Sequence, residues 1–312
     1  MHTEFHRALR PPAVQKGRAI GVAALASPAE AALLEAGCRS LASLGWPAIV
    51  AGVGMQPEAH FAGPAEARAA TLMELWQRKD CGAIVCARGG YGSNYLLPLL
   101  DFEAMRAAPK AFVGYSDNTS LLLALDRAGI VCFHGPMVAS DFAAGRADRE
   151  SFVAALTGQP REHYFGAGSG VTSLVPGEAR GQITGGCLSV VVTTLGTPWE
   201  IETRNRILFL EDVNEKPFRI DRMLMHLKLA GKFDSVRGFI FGAMKGCEAA
   251  DGEEPLMETI LRILDPLGVP ILFGFPSGHV DGGNITLPFG VQAQIAVSSS
   301  QVAYRVEAAT LV

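Results

Sequence analysis

Between Ala19 and Phe133 short apolar runs alternate with segments of helical spacing, and this alternation limits the fold more than any other feature of the chain. "AIGVAAL" (19–25), "AIVAG" (48–52), "GAIVCA" (82–87), "KAFVGYSD" (110–117) and "IVCF" (130–133) read as strands. Ser27-Pro28-Ala29-Glu30 has the form of a capping box with proline at the first helical position, which predicts a helix to about Leu44. Pro64 opens a second helix to about Arg78, and "NTSLLLALDRAG" predicts a third with Gly129 as its stop. Strands that alternate with helices pair in parallel, with helices on both faces. The first 160 or so residues are therefore expected to form an α/β, doubly wound parallel sheet of the flavodoxin-like kind.

Around 165–181 the composition shifts to Gly, Ser and Pro ("FGAGSGVTSLVPGEARG"), the signal of a linker. The expected division is an N-terminal domain over 1–165, a linker over 166–180 and a C-terminal domain over 181–312. In the latter, "ILFLED" and "GFIFG" read as strands separated by a helix carrying Ile220, Met223, Leu224 and Leu227. A further helix is predicted over about 254–267, then short strands from Asn284 to the end. This points to a smaller α/β, barrel-like domain.

The net charge of −4 gives no electrostatic reason to expect a nucleic acid partner, and no polybasic run suggests a membrane surface. No apolar run reaches the ~18 residues of a membrane span. The N-terminal stretch lacks the apolar core and cleavage site of a signal peptide, so a cytoplasmic location is expected. The six cysteines are scattered without a CxxC pair, which predicts neither a disulfide framework nor a zinc site. No metal and no cofactor are expected.

"ARGGYG" (87–92) follows a strand, at the edge of the sheet where open α/β folds place ligands. Its G-G-x-G spacing is neither the dinucleotide fingerprint nor a P-loop. Two readings stay open: a tight turn needing positive φ, or bare N–H groups aimed at an anion or a developing oxyanion. The next strand ends in "GYSDNTSLL", with Ser116 at a strand-to-helix turn. That geometry resembles a nucleophile elbow without its letters. Capping of the helix by Ser116 or Asp117 is the commoner use of such residues.

A nucleophilic serine needs a base and a group to orient it. Among the seven histidines, His2 and His6 lie at the terminus and His60 and His163 in polar segments. His226 falls on an amphipathic helix. His134 in "CFHGPM" and His279 in "GFPSGHVDGGN" both follow strands and both remain candidates. Glu211, at the end of "ILFLE", is either a strand-end solvation group or an imidazole partner.

Six segments together, "ARGGYGSNYLLPLLD", "FVGYSDNTSLLLAL", "FHGPM", "GGCLSVVVTTLGTPWE", "ILFLEDVNEKPFRIDRML" and "FPSGHVDGGNITLPFG", resemble in sequence and order the LD-carboxypeptidases. These are the serine peptidases that include the muramoyltetrapeptide carboxypeptidases and the microcin C self-immunity peptidases. The resemblance runs from about Pro11 to the C-terminus. It implies a Ser116–His279–Glu211 triad, an oxyanion hole from the N–H groups of Gly90 and Asp117, and substrate contacts at Gly89 and Tyr91. Glu215, Arg219 and Arg222 would be mainly structural or interface residues.

The implied substrate is a cytoplasmic murein tetrapeptide that loses its terminal D-alanine, and the implied assembly is a homodimer. A microcin-type enzyme acting on a peptide–nucleotide amide is the alternative, with Trp199 the one aromatic near a motif. A non-catalytic two-lobed binding protein would need neither Ser116, His279 nor Glu211.

Overall fold

The computed structural model describes residues 8–52, 56–298 and 301–312, so His2 and His6 lie outside the described residues. The first half supplies β1 (Ala19–Ala23), β2 (Ala48–Val50), β3 (Cys81–Cys86), β4 (Ala111–Gly114) and β5 (Cys132–His134). Between and after them come α1 (Ala31–Ser43), α2 (Ala65–Gln77), α3 (Phe102–Ala107), α4 (Thr119–Arg127) and α5 (Arg149–Thr157). The strands pair in parallel in the order β2-β1-β3-β4-β5, the flavodoxin-like order. Ile20, Val22, Ile84, Val85, Phe112 and Val113 are wholly buried, as expected for strands covered on both faces. The order reverses between β1 and β3, so a crevice opens beyond their carboxyl ends.

The capping box at Ser27 does not form. Glu30 precedes α1 and no side chain caps it. The Ser27 hydroxyl instead accepts the Tyr91 N–H at 3.1 Å, because the glycine loop after β3 folds back over the end of β1.

The second half supplies β6 (Arg161–Phe165), β7 (Thr172–Val175), β8 (Gly177–Cys187), β9 (Arg206–Val213), β10 (Gly238–Lys245), β11 (Ile271–Phe273), β12 (Leu287–Phe289), β13 (Gln292–Val297) and β14 (Val302–Val306). Its helices are α6 (Leu188–Thr193), α7 (Pro217–Leu229) and α8 (Leu256–Leu264). All these strands but β12 form one mixed sheet in the order β6-β14-β13-β8-β9-β10-β11-β7.

Two sequence expectations fail here. The segment 166–180 is no linker: it carries β7 and the start of β8, and β6 before it already belongs to the second sheet. Its glycines turn the chain from one edge of that sheet to the other. Seven residue steps from Phe165 to Thr172 reach at most about 25 Å. Eight strands laid flat would separate those edges by about 34 Å. The sheet must therefore curl, and Phe165 meets Phe275, just past β11, with ring centroids 5.4 Å apart.

The second correction concerns β12, which leaves the C-terminal half to pair antiparallel with β5 in the first sheet, Leu287 opposite His134. The two halves are thus stitched together by backbone. Among the described residues no helix is long and apolar enough to cross a membrane.

Strand alternation in β9 sorts its residues between two cores. Ile207 and Phe209 join the apolar core that runs through the first sheet, while Leu208 and Leu210 face the core built with α6, α7 and α8. With a period of two, Glu211 falls on the first side and Asp212 on the second. At the other end of β9, Arg206 forms a buried ion pair with Asp126 at the end of α4, and Thr184 of β8 donates to the same carboxylate at 2.8 Å. The helix that starts beside Ser116 is therefore tied to the foot of the strand that carries Glu211.

Candidate active site

Ser116 leaves β4 with φ +60°, in the left-handed region where a residue with a Cβ is strained by about 1–3 kcal/mol. Its hydroxyl does not cap α4. It lies 3.2 Å from Nε2 of His279, and Nδ1 of the same ring is 2.7 Å from Oε2 of Glu211. Asp117 does not cap either: its Oδ2 accepts the Ser93 N–H at 2.8 Å, and its carbonyl accepts the Ser93 hydroxyl at 2.6 Å. The serine turn and the glycine loop are locked to each other by these bonds.

The alternative histidine is placed differently. His134 makes its contacts with Ser277 Oγ, at 3.2 Å, and with the far side of Glu211. The bond partner of Ser116 is His279.

Glu211 is fully buried. Burial, the largest single influence, pushes its pKa up, but interaction with His134 and His279 outweighs that and holds the carboxyl at about 2. For His279 burial again comes first and pulls the imidazole down. The hydrogen bond and charge of Glu211, with the charges of Asp212 and Asp141, outweigh it and raise the pKa above its ordinary value. The loop that carries His279 comes close to the carboxylate through Gly278, where an added Cβ would lie 2.5 Å from Glu211 Oε2.

Gly89 borders the hydroxyl, and Gly90 follows Gly89 in the same loop. A Cβ on Gly89 would lie 3.0 Å from Ser116 Oγ and 3.5 Å from the Asp117 nitrogen. Gly90 has φ +114°, and a Cβ there would strike Ser27 Oγ at 2.3 Å. Among the described residues neither the Gly90 nor the Asp117 N–H donates a hydrogen bond. Both glycines, with Ser116, His279, Arg88 and Arg146, line a cleft of about 510 Å³. Tyr91 does not line that cleft; its exposed ring packs on Phe61 and Tyr95, with centroids 5.6 and 6.2 Å away.

Several contributors escaped the sequence reading. Arg68 is buried on α2 and donates to the carbonyls of Leu25 and Gly92 at 2.6 and 2.8 Å, fastening the glycine loop to the end of β1. A signal for it existed: Arg68 shares the helical spacing of the buried Leu72 and Leu75, and a cation on an apolar stripe needs buried partners. Arg88 and Arg146 carried no local pattern to mark them. Glu215 pairs with Arg219 at 3.5 Å and Arg222 lies over Phe218, contacts within α7 and its approach. Trp199 lines a separate cleft with Arg106, Arg127 and Arg204.

An imidazole between a hydroxyl and a buried carboxylate can take the hydroxyl proton, and two free N–H groups beside it can receive a negative oxygen. No group of metal-ligating side chains occurs among the described residues.

Residues 20–135 match the family model of the LD-carboxypeptidase N-terminal domain, and residues 180–295 that of the LD-carboxypeptidase C-terminal domain. A Bacillus subtilis protein named "probable murein peptide carboxypeptidase" is 36% identical over 291 residues, covering 91% of this chain and 90% of its own. Among solved structures, a muramoyltetrapeptide carboxypeptidase from Oxalobacter formigenes superposes with a TM-score of 0.82 at 27% identity, over 92% of this chain and 99% of that one. An MccF-like protein from Bacillus anthracis gives a TM-score of 0.87 at 25% identity, over 96% and 100%.

Proposed function

The chain belongs to the LD-carboxypeptidase family, and from that premise we propose that it is a serine-type enzyme that removes the terminal D-alanine from murein tetrapeptides. The observation that carries this reading is the line of contacts from Ser116 through His279 to Glu211 at the mouth of a cleft. Ser116 Oγ attacks the carbonyl of the penultimate residue while His279 Nε2 takes its proton. Glu211 stabilises the imidazolium, and the N–H groups of Gly90 and Asp117 receive the oxyanion. The intermediate collapses as His279 returns the proton to the leaving amine, and free D-alanine departs. Water, activated by the same imidazole, then hydrolyses the ester on Ser116.

A carboxypeptidase must also recognise a free terminal carboxylate. Arg88 and Arg146 bring two guanidinium groups to the same cleft. Arg146 Nε stands 3.8 Å from Asp141, and Arg88 has no carboxylate within ion-pair distance among the described residues. Replacing either by methionine is expected to raise KM for the tetrapeptide by roughly 10- to 100-fold, the loss of a hydrogen bond to a charged group. Amidating the peptide C-terminus should have the same effect on the unaltered enzyme. If neither change moves KM, the carboxylate is held elsewhere.

The raised His279 pKa sets a pH dependence. The base must be neutral to accept a proton, so kcat/KM should fall as the pH drops through an acidic limb lying above the ordinary imidazole value of 6.5. Glu211→Gln removes the charge that raises His279 and keeps the burial that lowers it. The limb should then move to lower pH, along with a large loss of rate. A limb that stays in place would detach Glu211 from the base.

The direct test incubates the protein with murein tetrapeptide and with an analogue ending in an L residue, and follows the loss of one alanine by mass spectrometry. Cleavage of the first alone is the expected result; cleavage of neither refutes the reading. The same reading places the reaction in the cytoplasm, during recycling of wall peptides, by a homodimer. Trp199, the aromatic near a motif, lines a different cleft from the one that holds Ser116 and His279, which gives the nucleotide-bearing substrate no support from that residue.

A further inference from the structure

The bond to His279 uses only Oε2 of Glu211. The other oxygen, Oε1, is buried and has no hydrogen bond among the described residues. Nε2 of His134 lies 3.7 Å from it, and that nitrogen too is buried and has no hydrogen-bond partner. Two orphaned polar atoms, one on each group, thus confront each other across the boundary between β5 of the first sheet and β9 of the second.

We propose that His134 is a positioning residue that presents Nε2–H to Oε1 of Glu211 and so aims Oε2 at His279. The inference rests on the reading of His279 as the base. The imidazole is held for this task on every side. Phe209, Tyr115 and Phe289 surround it with centroids 4.8, 5.6 and 5.9 Å away, and Nδ1 lies 3.2 Å from Ser277 Oγ, whose single hydrogen can go to that nitrogen or to the Ile285 carbonyl at 2.8 Å. Oε1 is satisfied only when Nε2 carries a hydrogen, and in the neutral ring that tautomer has Nδ1 accepting from the Ser277 hydroxyl. A separation of 3.7 Å is longer than a hydrogen bond, and catalytic contacts often tighten when substrate closes the site.

The titratable groups around the pair are His279 from the 275–285 loop, Tyr115 past β4, Asp141 past β5, Cys187 at the end of β8 and Asp212 next on β9. None of them is recorded as a hydrogen-bond partner of Oε1. The positioning of Glu211 from behind therefore falls to His134.

The test compares His134→Phe, which keeps a ring in the box without a donor, with His134→Gln, whose amide N–H can reach Oε1. The Phe variant is expected to lower kcat on murein tetrapeptide by roughly 10- to 100-fold with KM little changed, by analogy with groups that orient a metal ligand from one contact away. Its acidic limb should move to lower pH, because a carboxylate no longer aimed at His279 holds the imidazolium less firmly. The Gln variant should recover most of the rate. Full activity of His134→Phe, or better rescue by Phe than by Gln, would mark His134 as packing only.

Nitrogen-15 NMR of the histidine-labelled wild-type protein supplies a readout that needs no variant. Nε2 of His134 should show the shift of a protonated nitrogen, and an unprotonated signal overturns the proposal whatever the variants do. Retained turnover by His279→Ala would instead sink the base assignment, a separate failure.

Discussion

Ser116→Ala is expected to lower kcat on murein tetrapeptide by roughly a million-fold, the loss seen when a serine peptidase is deprived of its nucleophile. The size of the effect follows from the arrangement of the site. With the hydroxyl gone, the proposed base pair of His279 and Glu211 has no group to activate, and the N–H groups of Gly90 and Asp117, proposed as the oxyanion hole, could only polarise a carbonyl that water must attack unaided. A binding protein with the same cleft would show no such loss, having no turnover to lose.

Ser116→Gly should be equally inactive but more stable than Ser116→Ala. At φ +60° alanine keeps the left-handed strain and glycine does not. The expected gap is about 1 kcal/mol, or roughly 1.5 °C in Tm for a chain of this size. Equal melting temperatures would mean that the turn relaxes once the hydroxyl is removed, and that the serine conformation is held by the His279 contact instead of by the backbone around it.

The next largest effect is expected at the glycine pair, where two neighbouring substitutions should fail for different reasons. Gly90→Ala places a Cβ against Ser27 at a φ of +114° that alanine resists, so the loop must shift and its N–H with it. Losing one oxyanion donor costs about 10²–10³ in kcat, so a drop of that order with KM nearly unchanged is the expected signature. Gly89→Ala leaves the donor in place and puts a methyl 3.0 Å from the Ser116 hydroxyl, in the space a substrate carbonyl would enter. It should block acylation and weaken binding together. Measuring kcat and KM for both separates loss of charge stabilisation from loss of room. If Gly90→Ala kept full kcat, the oxyanion would have to be stabilised elsewhere.

Much of the first sheet was legible because its signals are local. A buried parallel strand shows as an unbroken apolar run, and β3 with "AIVC" and β4 with "AFV" appear where those runs stand. The linker reading of 166–180 failed for a related reason. Gly, Ser and Pro mark a turn equally well whether the chain is leaving a domain or crossing between two edges of a curled sheet. Ser27 misled in the same way: a serine three residues before a glutamate fits a cap, and only the folded glycine loop supplies the Tyr91 N–H that claims its oxygen.

In the site, the residue types were legible and their partners were not. His134 and His279 both follow strands, and nothing within ten residues of either tells which one reaches Ser116. That choice is made by the loop 275–285, which folds over Glu211 through Gly278.

The sequence by itself determined the parallel core, the loops gathered at its carboxyl edge, and the hydroxyl, imidazoles and carboxylate available for chemistry. Each of these is written in periodicities and turn residues that act over a few positions. The tertiary structure alone decided that Glu211 meets His279 while Asp212 turns to Ser189 of α6, that Arg68 fastens the glycine loop, and that two histidines meet one carboxylate from opposite sides. Those outcomes depend on how one curled sheet packs against another, through contacts such as Asp126 with Arg206 that join residues far apart in the chain.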